Sequence, residues 1–297
     1  MRRGSMLLLS VVVLSAMVAS SVLARSPQAG LKPGGYYSGS GFFYDVLEVI
    51  NTKKGIGVPV LQMGLDFTGG DNATSFGWAP FGIAFDVDGT IYILQNIVAF
   101  NPSEVRSQLA RVDAQTGEVT PIGGMVPFNT SGPDIDADGN LYVCGFQVDA
   151  LGYIWGNSSL WRVDKETGEF SEVGDTGHTN WMDLAFDSQG TLWATFDNDL
   201  YTIDPATGAS SFVTEIHGVP DAGDPSWMEV MSIAFDKHDT LYATAMTVYY
   251  EDPNGSPILR IDTTTGNAEL LGYTEQPYNH GGDILLLDED AQGEDEQ

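Results

Sequence analysis

Residues 182–213 read MDLAFDSQGTLWATFDNDLYTIDPATGASSFV. An apolar run, Leu184 to Phe186, meets a turn at Asp187-Ser188-Gln189-Gly190, and a second run spans Thr191 to Phe196. After a short link a third run, Leu200 to Ile203, meets the turn Asp204-Pro205-Ala206-Thr207-Gly208, and a fourth follows. Short runs rich in apolar and aromatic side chains and bounded by Asp and Gly turns are strands. They make one antiparallel sheet with tight turns. Such a sheet has two faces to bury and cannot bury both alone, so a unit of this kind that recurs packs face to face with its copies around an axis, as a propeller does.

The unit does recur. Its inner turn appears as Phe85-Asp86-Val87-Asp88-Gly89-Thr90-Ile91-Tyr92, Ile135-Asp136-Ala137-Asp138-Gly139-Asn140-Leu141-Tyr142, Phe186-Asp187-Ser188-Gln189-Gly190-Thr191-Leu192-Trp193 and Phe235-Asp236-Lys237-His238-Asp239-Thr240-Leu241-Tyr242. The leading Asp falls at 86, 136, 187 and 236, with successive differences of 50, 51 and 49. The outer turn appears as Asp113 to Gly117, Asp164 to Gly168, Asp204 to Gly208 and Asp262 to Gly266, and Asn51-Thr52-Lys53-Lys54-Gly55 reads as a worn copy. The Gly supplies the positive φ that closes a hairpin, and the leading Asp accepts hydrogen bonds from the turn's own amides.

The worn outer turn has no inner half before it. Near the other end, Gly282 to Asp288 looks like an innermost strand ending on its turn Asp, 288 − 236 = 52 residues after Asp236. The expected fold is therefore all-β: a five-bladed β-propeller of four-stranded antiparallel blades. The C-terminal strand would close the ring by pairing with an N-terminal blade that begins at Phe42, which leaves no sheet edge open.

The ends of the chain read differently. Met1-Arg2-Arg3 precedes an apolar stretch from Met6 to Val18 and small residues at Val22 and Ala24, the pattern of a secretory signal peptide over residues 1–24. Residues 25–41 read as a linker rich in Gly, Pro and Ser, 42–288 as the propeller and 289–297 as a disordered acidic tail. The expected location is secreted, periplasmic or extracellular, with no membrane insertion after cleavage. Cys144 is the single cysteine, which excludes an intramolecular disulfide and suits export from a bacterium. With 41 acidic against 12 basic residues, the protein's own field repels nucleic acid and anionic membranes.

In such a ring, inner and outer turns share one face, and the remaining connections share the other. Variation should mark the functional face. From inner-turn to outer-turn Gly the spacing is 28 (Gly89 to Gly117), 29 (Gly139 to Gly168) and 18 (Gly190 to Gly208). The extra residues lie between Asn96 and Gln108, Phe146 and Ser159, and Thr247 and Pro257, and they carry rings that turns do not need. A ligand-binding rim is expected from Trp78, Phe100, Trp155, Asn180, Trp181, Trp227, Tyr249 and Tyr278 at the channel mouth, suited to sugar faces or apolar peptide side chains.

Groups able to do chemistry gather near the same mouth. His178, Asp183, Glu229, His280 and Asp283 precede or open innermost strands and are the candidates for acid/base catalysis. Asp134, Asp136 and Asp138, alternating before Gly139, begin as calcium loops do, but Tyr142 and Gly145 stand where a closing acid would be needed, so Ca2+ is the one cofactor to test.

The repeated FD-x-x-G-T-L-Y and I-D-x-x-T-G phrases resemble the repeats of exported bacterial β-propellers of the broad NHL and YVTN surface-layer type, over roughly residues 42–288. The resemblance implies the fold strongly and function weakly. More distantly the chain is similar to lactonase and lyase propellers, although no family motif maps residue by residue onto Glu229, Asn180, Asp183, His178 or His280. The leading expectation is a non-catalytic propeller that binds a glycan or protein surface. The alternative is a metal-assisted hydrolase or lyase, lactonase-like or glycosidase-like, using the carboxylate and His cluster.

Overall fold

The structure, a computed structural model, describes residues 31–40, 46–63, 75–99, 106–148, 154–220, 230–245, 255–274 and 279–287. The chain opens with β1 (Tyr36–Ser40), β2 (Val46–Asn51) and β3 (Ile56–Gln62). Next come β4 (Ser75–Phe85), β5 (Ile91–Ala99), β6 (Arg106–Val112) and β7 (Val119–Val126), then β8 (Asn129–Ile135), β9 (Leu141–Val148), β10 (Ile154–Val163) and β11 (Phe170–Asp175). A third group is β12 (Asp183–Phe186), β13 (Leu192–Phe196), β14 (Asp199–Ile203) and β15 (Ser210–Glu215). The last strands are β16 (Val230–Phe235), β17 (Leu241–Ala245), β18 (Pro257–Ile261), β19 (Ala268–Tyr273) and β20 (Asn279–Ile284).

Innermost strands β4, β8, β12, β16 and β20 each contact the next, and β20 returns to β4. The core lies between sheets rather than within one. Side chains alternate along a strand, so Ile83 and Phe85 join Tyr37, Leu47 and Leu285 on one side of their sheet, while Ala84 joins Leu141 and Val143 on the other. Cys144 is buried among Leu160, Leu184 and Leu192 in the next layer, and its apolar surroundings push its thiol well up. Each of these leucines is fully buried, a contribution of about 1.5–3 kcal/mol apiece.

The all-β class holds, but the expectation of a five-bladed propeller of four-stranded antiparallel blades is corrected. Twenty strands among the described residues fall into four sheets, three of four strands and one of eight, ordered β16-β17-β18-β19-β3-β2-β1-β20. The cause is the outer turn. A Cβ placed on Gly55, Gly117, Gly168, Gly208 or Gly266 would lie 1.7, 1.9, 2.4, 2.6 or 1.9 Å from a backbone carbonyl oxygen, that of Leu271, Gln62, Ile122, Gly174 or Glu215. Each of these oxygens belongs to the last strand of a neighbouring four-strand run: β19, β3, β7, β11 or β15. At Gly55 the approach is close enough that Tyr273 N–H donates to the Gly55 carbonyl at 3.1 Å and Tyr273 pairs in parallel with Ile56, which fuses β19 to β3.

Two boundaries also move. β1 lies inside the stretch read as a linker. Gly and Ser dominate the composition there, yet Tyr36 and Tyr37 are 1% and 2% exposed and anchor the strand in the layers on its two sides. Secondly, Asp288, read as the turn residue of the last inner strand, lies outside the described residues. Leu285 takes that position. Its N–H donates to the Gly35 carbonyl and its carbonyl accepts from Gly34 N–H, the same pair of bonds that Asp86 makes with Thr90 and Gly89. Counted to Leu285 the interval is 285 − 236 = 49. This inner turn is thus made from both ends of the chain, with β20 paired antiparallel to β1 from Ile284↔Tyr36 onward.

The extra residues predicted as long loops are in part strand. β5 and β6 stay paired out to Ile97↔Arg106, and β9 and β10 out to Val148↔Ile154. Only Asp197 and Asn198 separate β13 from β14.

Candidate functional site: the central channel and the face around it

An innermost strand has a partner on one side only, so its other edge presents backbone N–H groups to the channel with nothing in the ladder to accept them. Three aspartates meet this need. Asp134 on β8 accepts from Phe186 N–H at 2.5 Å and from Ile135 N–H at 2.8 Å. Asp283 on β20 accepts from Phe85 N–H at 2.7 Å and Ile284 N–H at 2.6 Å. Asp183 on β12 uses one oxygen, Oδ2, for Ile233 N–H at 2.8 Å and Gly282 N–H at 3.1 Å, so its carboxylate links β12, β16 and β20. Its Oδ1 is buried with no hydrogen-bond partner.

The placement follows the repeat. Asp134 and Asp283 each stand two residues before the first position of the inner turn, where the other inner strands carry Ala84, Ala185 and Ala234. Asp183 stands four before it, in place of Gly82, Gly132, Ser232 or Gly281. The small residues bring neighbouring strands close: a Cβ on Gly132 would lie 2.6 Å from Leu184 N. Burial holds all three carboxyls above the usual carboxylate range. Asp283 is pushed up to about 7, while Asp134 is raised first by burial and then by the charge of Asp283. Asp183 is raised by burial, against the pull of the Ile233 and Gly282 N–H groups, and further by the charge of Asp283. Beside them the Tyr36 hydroxyl, bonded to Ser232 Oγ, is pushed up by burial and by the charges of Asp183 and Asp283.

Of the five catalytic candidates the structure brings Asp183 and Asp283 together and adds Asp134. His178 stands apart, between the rings of Trp181, Phe196 and Tyr201, with centroids at 5.2, 4.9 and 4.7 Å. Asp197 and Asp199 lie near it, raised by burial and drawn back by His178. His280 is buried on β20, and burial lowers it to about 4. Its neighbour Asn279 donates Nδ2 to the buried Glu48 at 2.8 Å. Glu229 lies outside the described residues.

Asp134, Asp136 and Asp138 do not assemble as ligands. Asp136 Oδ1 accepts from Asp138 N–H and Asn140 N–H, which is turn closure, while Asp134 points into the channel. Among the described residues no group of three His, Cys, Asp or Glu is placed to hold a metal ion.

Of the predicted rim, Trp181 is fully buried and donates its indole N–H to Thr176 Oγ1 at 2.6 Å, so it offers a ligand no surface. Asn180 is half-buried. Trp78 stands on β4 and Trp155 on β10. Phe100, Trp227, Tyr249 and Tyr278 lie outside the described residues.

Sequence reasoning passed over the channel role of Asp134 and the buried Glu48. A signal for the first was present, since Gly132-Pro133-Asp134-Ile135 and Gly281-Gly282-Asp283-Ile284 share the pattern Gly-x-Asp-Ile at the same register.

No known protein family and no curated protein matches the sequence. Similar solved structures include one in a nidogen/laminin complex, at 13% identity and a TM-score of 0.48 over 85% of this chain and 98% of that one. A gluconolactonase from Xanthomonas campestris is similar at 13% identity and a TM-score of 0.41 over 86% and 80%. A protein of unknown function from Bacteroides caccae is similar at 12% identity and a TM-score of 0.46 over 85% and 98%. None of these likenesses carries an activity to this chain. The propeller is established by its own ring of inner strands.

Proposed function

We propose that this protein is an exported, non-catalytic propeller that binds a glycan or a protein surface on the face opposite its Asp and Gly turns. The observation that carries the reading is the fate of the channel carboxylates. Asp134, Asp183 and Asp283 each accept at least two backbone N–H groups, so the groups best suited to acid/base work are committed to holding inner strands together. A general base must reach a substrate proton, and its geometry comes before its pKa. The signal-peptide pattern of residues 1–24 supports a periplasmic or extracellular setting. The binding face is taken to be that of the β5–β6, β9–β10 and β17–β18 connections, which differ most between repeats and carry Phe100, Trp155, Tyr249 and Tyr250.

The test is a screen of the full protein against immobilised polysaccharides and cell-surface proteins, followed by variants. Trp155→Ala and Tyr249→Ala should weaken the captured interaction by about tenfold or more. Phe212→Ala, whose ring is 58% exposed on β15 at the outer rim, should leave it unchanged. The reading fails if the protein hydrolyses lactone or glycoside substrates and Asp283→Asn abolishes that turnover while the fold is kept.

A further inference from the structure

The ring is closed without a covalent link, and β20 is the element that closes it. Three sets of contacts hold it. Its edge pairs with β1. Its end makes the split turn, through Leu285 with Gly34 and Gly35. In the channel, Asp183 Oδ2 accepts Gly282 N–H, while Asp283, which β20 itself contributes, accepts Phe85 N–H from β4. The third set is chemically unlike the other two because it depends on buried carboxyl groups.

The surroundings of these carboxyls are acidic or neutral. β8 contributes Asp134, β12 Asp183, β1 Tyr36, β9 Cys144 and β17 Tyr242, while β20 itself carries His280. β4 and β16, packed against β20 on its two sides, bring no titratable residue, and Glu48 of β2 accepts from Asn279 Nδ2. Among the described residues, none of the groups that act on Asp134, Asp183 or Asp283 is a cation. Three charges in so small a volume of low dielectric repel one another strongly, and each also loses its hydration. One neutral carboxyl relieves both costs and still accepts an amide through its carbonyl oxygen.

We propose that protons latch the ring: β20 is held in the channel while Asp134, Asp183 and Asp283 retain protons among them, and it opens ahead of the rest of the molecule as they ionise. The sign follows from linkage. A carboxyl raised in the folded state keeps protons that the unfolded chain has already lost, so its contribution is full below about pH 4 and disappears as the pH rises through the folded value. For Asp283 that value is about 7. The surface turn carboxyls act oppositely and lower down: Asp113, Asp164, Asp204 and Asp262 are held below the usual range by turn amides and hydroxyls, so their support is lost only in stronger acid. Between the two ranges the channel dominates. An open latch would leave β1, Tyr36–Ser40, paired with β2 on one side and exposed as a free edge on the other.

Hydrogen exchange read by mass spectrometry on the full chain, corrected for the intrinsic pH dependence of exchange, tests this. From about pH 5 to about pH 8, protection in residues 279–285 and 36–40 should fall at least about tenfold more than in residues 192–203 of the β12–β15 sheet. The double variant Asp134→Asn with Asp283→Asn keeps one acceptor oxygen at each position, enough for the inter-strand amide of Phe186 or Phe85, and should remove most of that difference. Equal losses of protection in both regions overturn the proposal, as does an unchanged pH response in a folded double variant. Restoration of wild-type protection at about pH 8 by calcium also overturns it, because a cation and not a proton would then close the ring. Should the double variant fail to fold, the wild-type comparison alone decides.

Discussion

Asp183 holds two amides with one oxygen and leaves the other buried without a partner. The arrangement separates the value of its shape from the cost of its charge. Asp183→Asn keeps a carbonyl for Ile233 and Gly282 and removes a buried charge, so at neutral pH the variant should be as stable as the parent or more so. Asp183→Ala leaves two buried N–H groups without an acceptor and should cost about 2–4 kcal/mol. Urea unfolding of the two variants checks the pair, and the account fails if Asn is the more damaging change. The identity of Asp183 as a channel residue was legible from its place before an inner turn. Its task was not, because an Asp that opens a strand reads equally as base, ligand or cap until the neighbouring backbone is placed.

The outer turn shows how a short phrase can encode contact between elements. Thr-Gly closes each hairpin locally, which explains the positive φ of Gly117, +75°. The same glycine also has the Gln62 carbonyl where a Cβ would be, at 1.9 Å. Gly190 in an inner turn has nearly the same φ, +76°, and nothing within 4 Å of a Cβ. Gly190→Ala should therefore cost about 1 kcal/mol for the backbone conformation alone, and Gly117→Ala about 3 kcal/mol or more, since a strand must also move. Thermal unfolding of both variants measures the difference, and equal effects would refute the inter-sheet role. The turns and most strands were legible because their periodicity is local. β1 was not, since Gly34 to Ser40 has the composition of a linker and only the burial of Tyr36 and Tyr37 against distant sheets makes it a strand.

At the scale of the whole molecule, residues 34–35 and 285–287 meet in a turn that no peptide bond completes. Leu285-Leu286-Leu287 followed by Gly34-Gly35 has the same length and bonding as Asp86-Val87-Asp88 followed by Gly89-Thr90. A permutant that joins Leu287 directly to Gly34 and opens new termini between Lys237 and His238 should fold to the same ring with a melting temperature at or above that of the parent, because the closing strand becomes covalently tethered. A permutant that is soluble but melts lower would show that the split turn is not equivalent to the continuous ones. By itself the sequence determined the strand–turn repeat, the propeller class and the net negative charge, since periodicity, turn residues and composition are read along the chain. Only the tertiary structure decided how the sheets join at Gly55 and Tyr273, that Leu285 takes the first turn position after the last inner strand, and that Asp134, Asp183 and Asp283 share one channel. Each of those facts is a contact between residues far apart in sequence, and in a closed ring such contacts are fixed by which backbone edge is left without a partner.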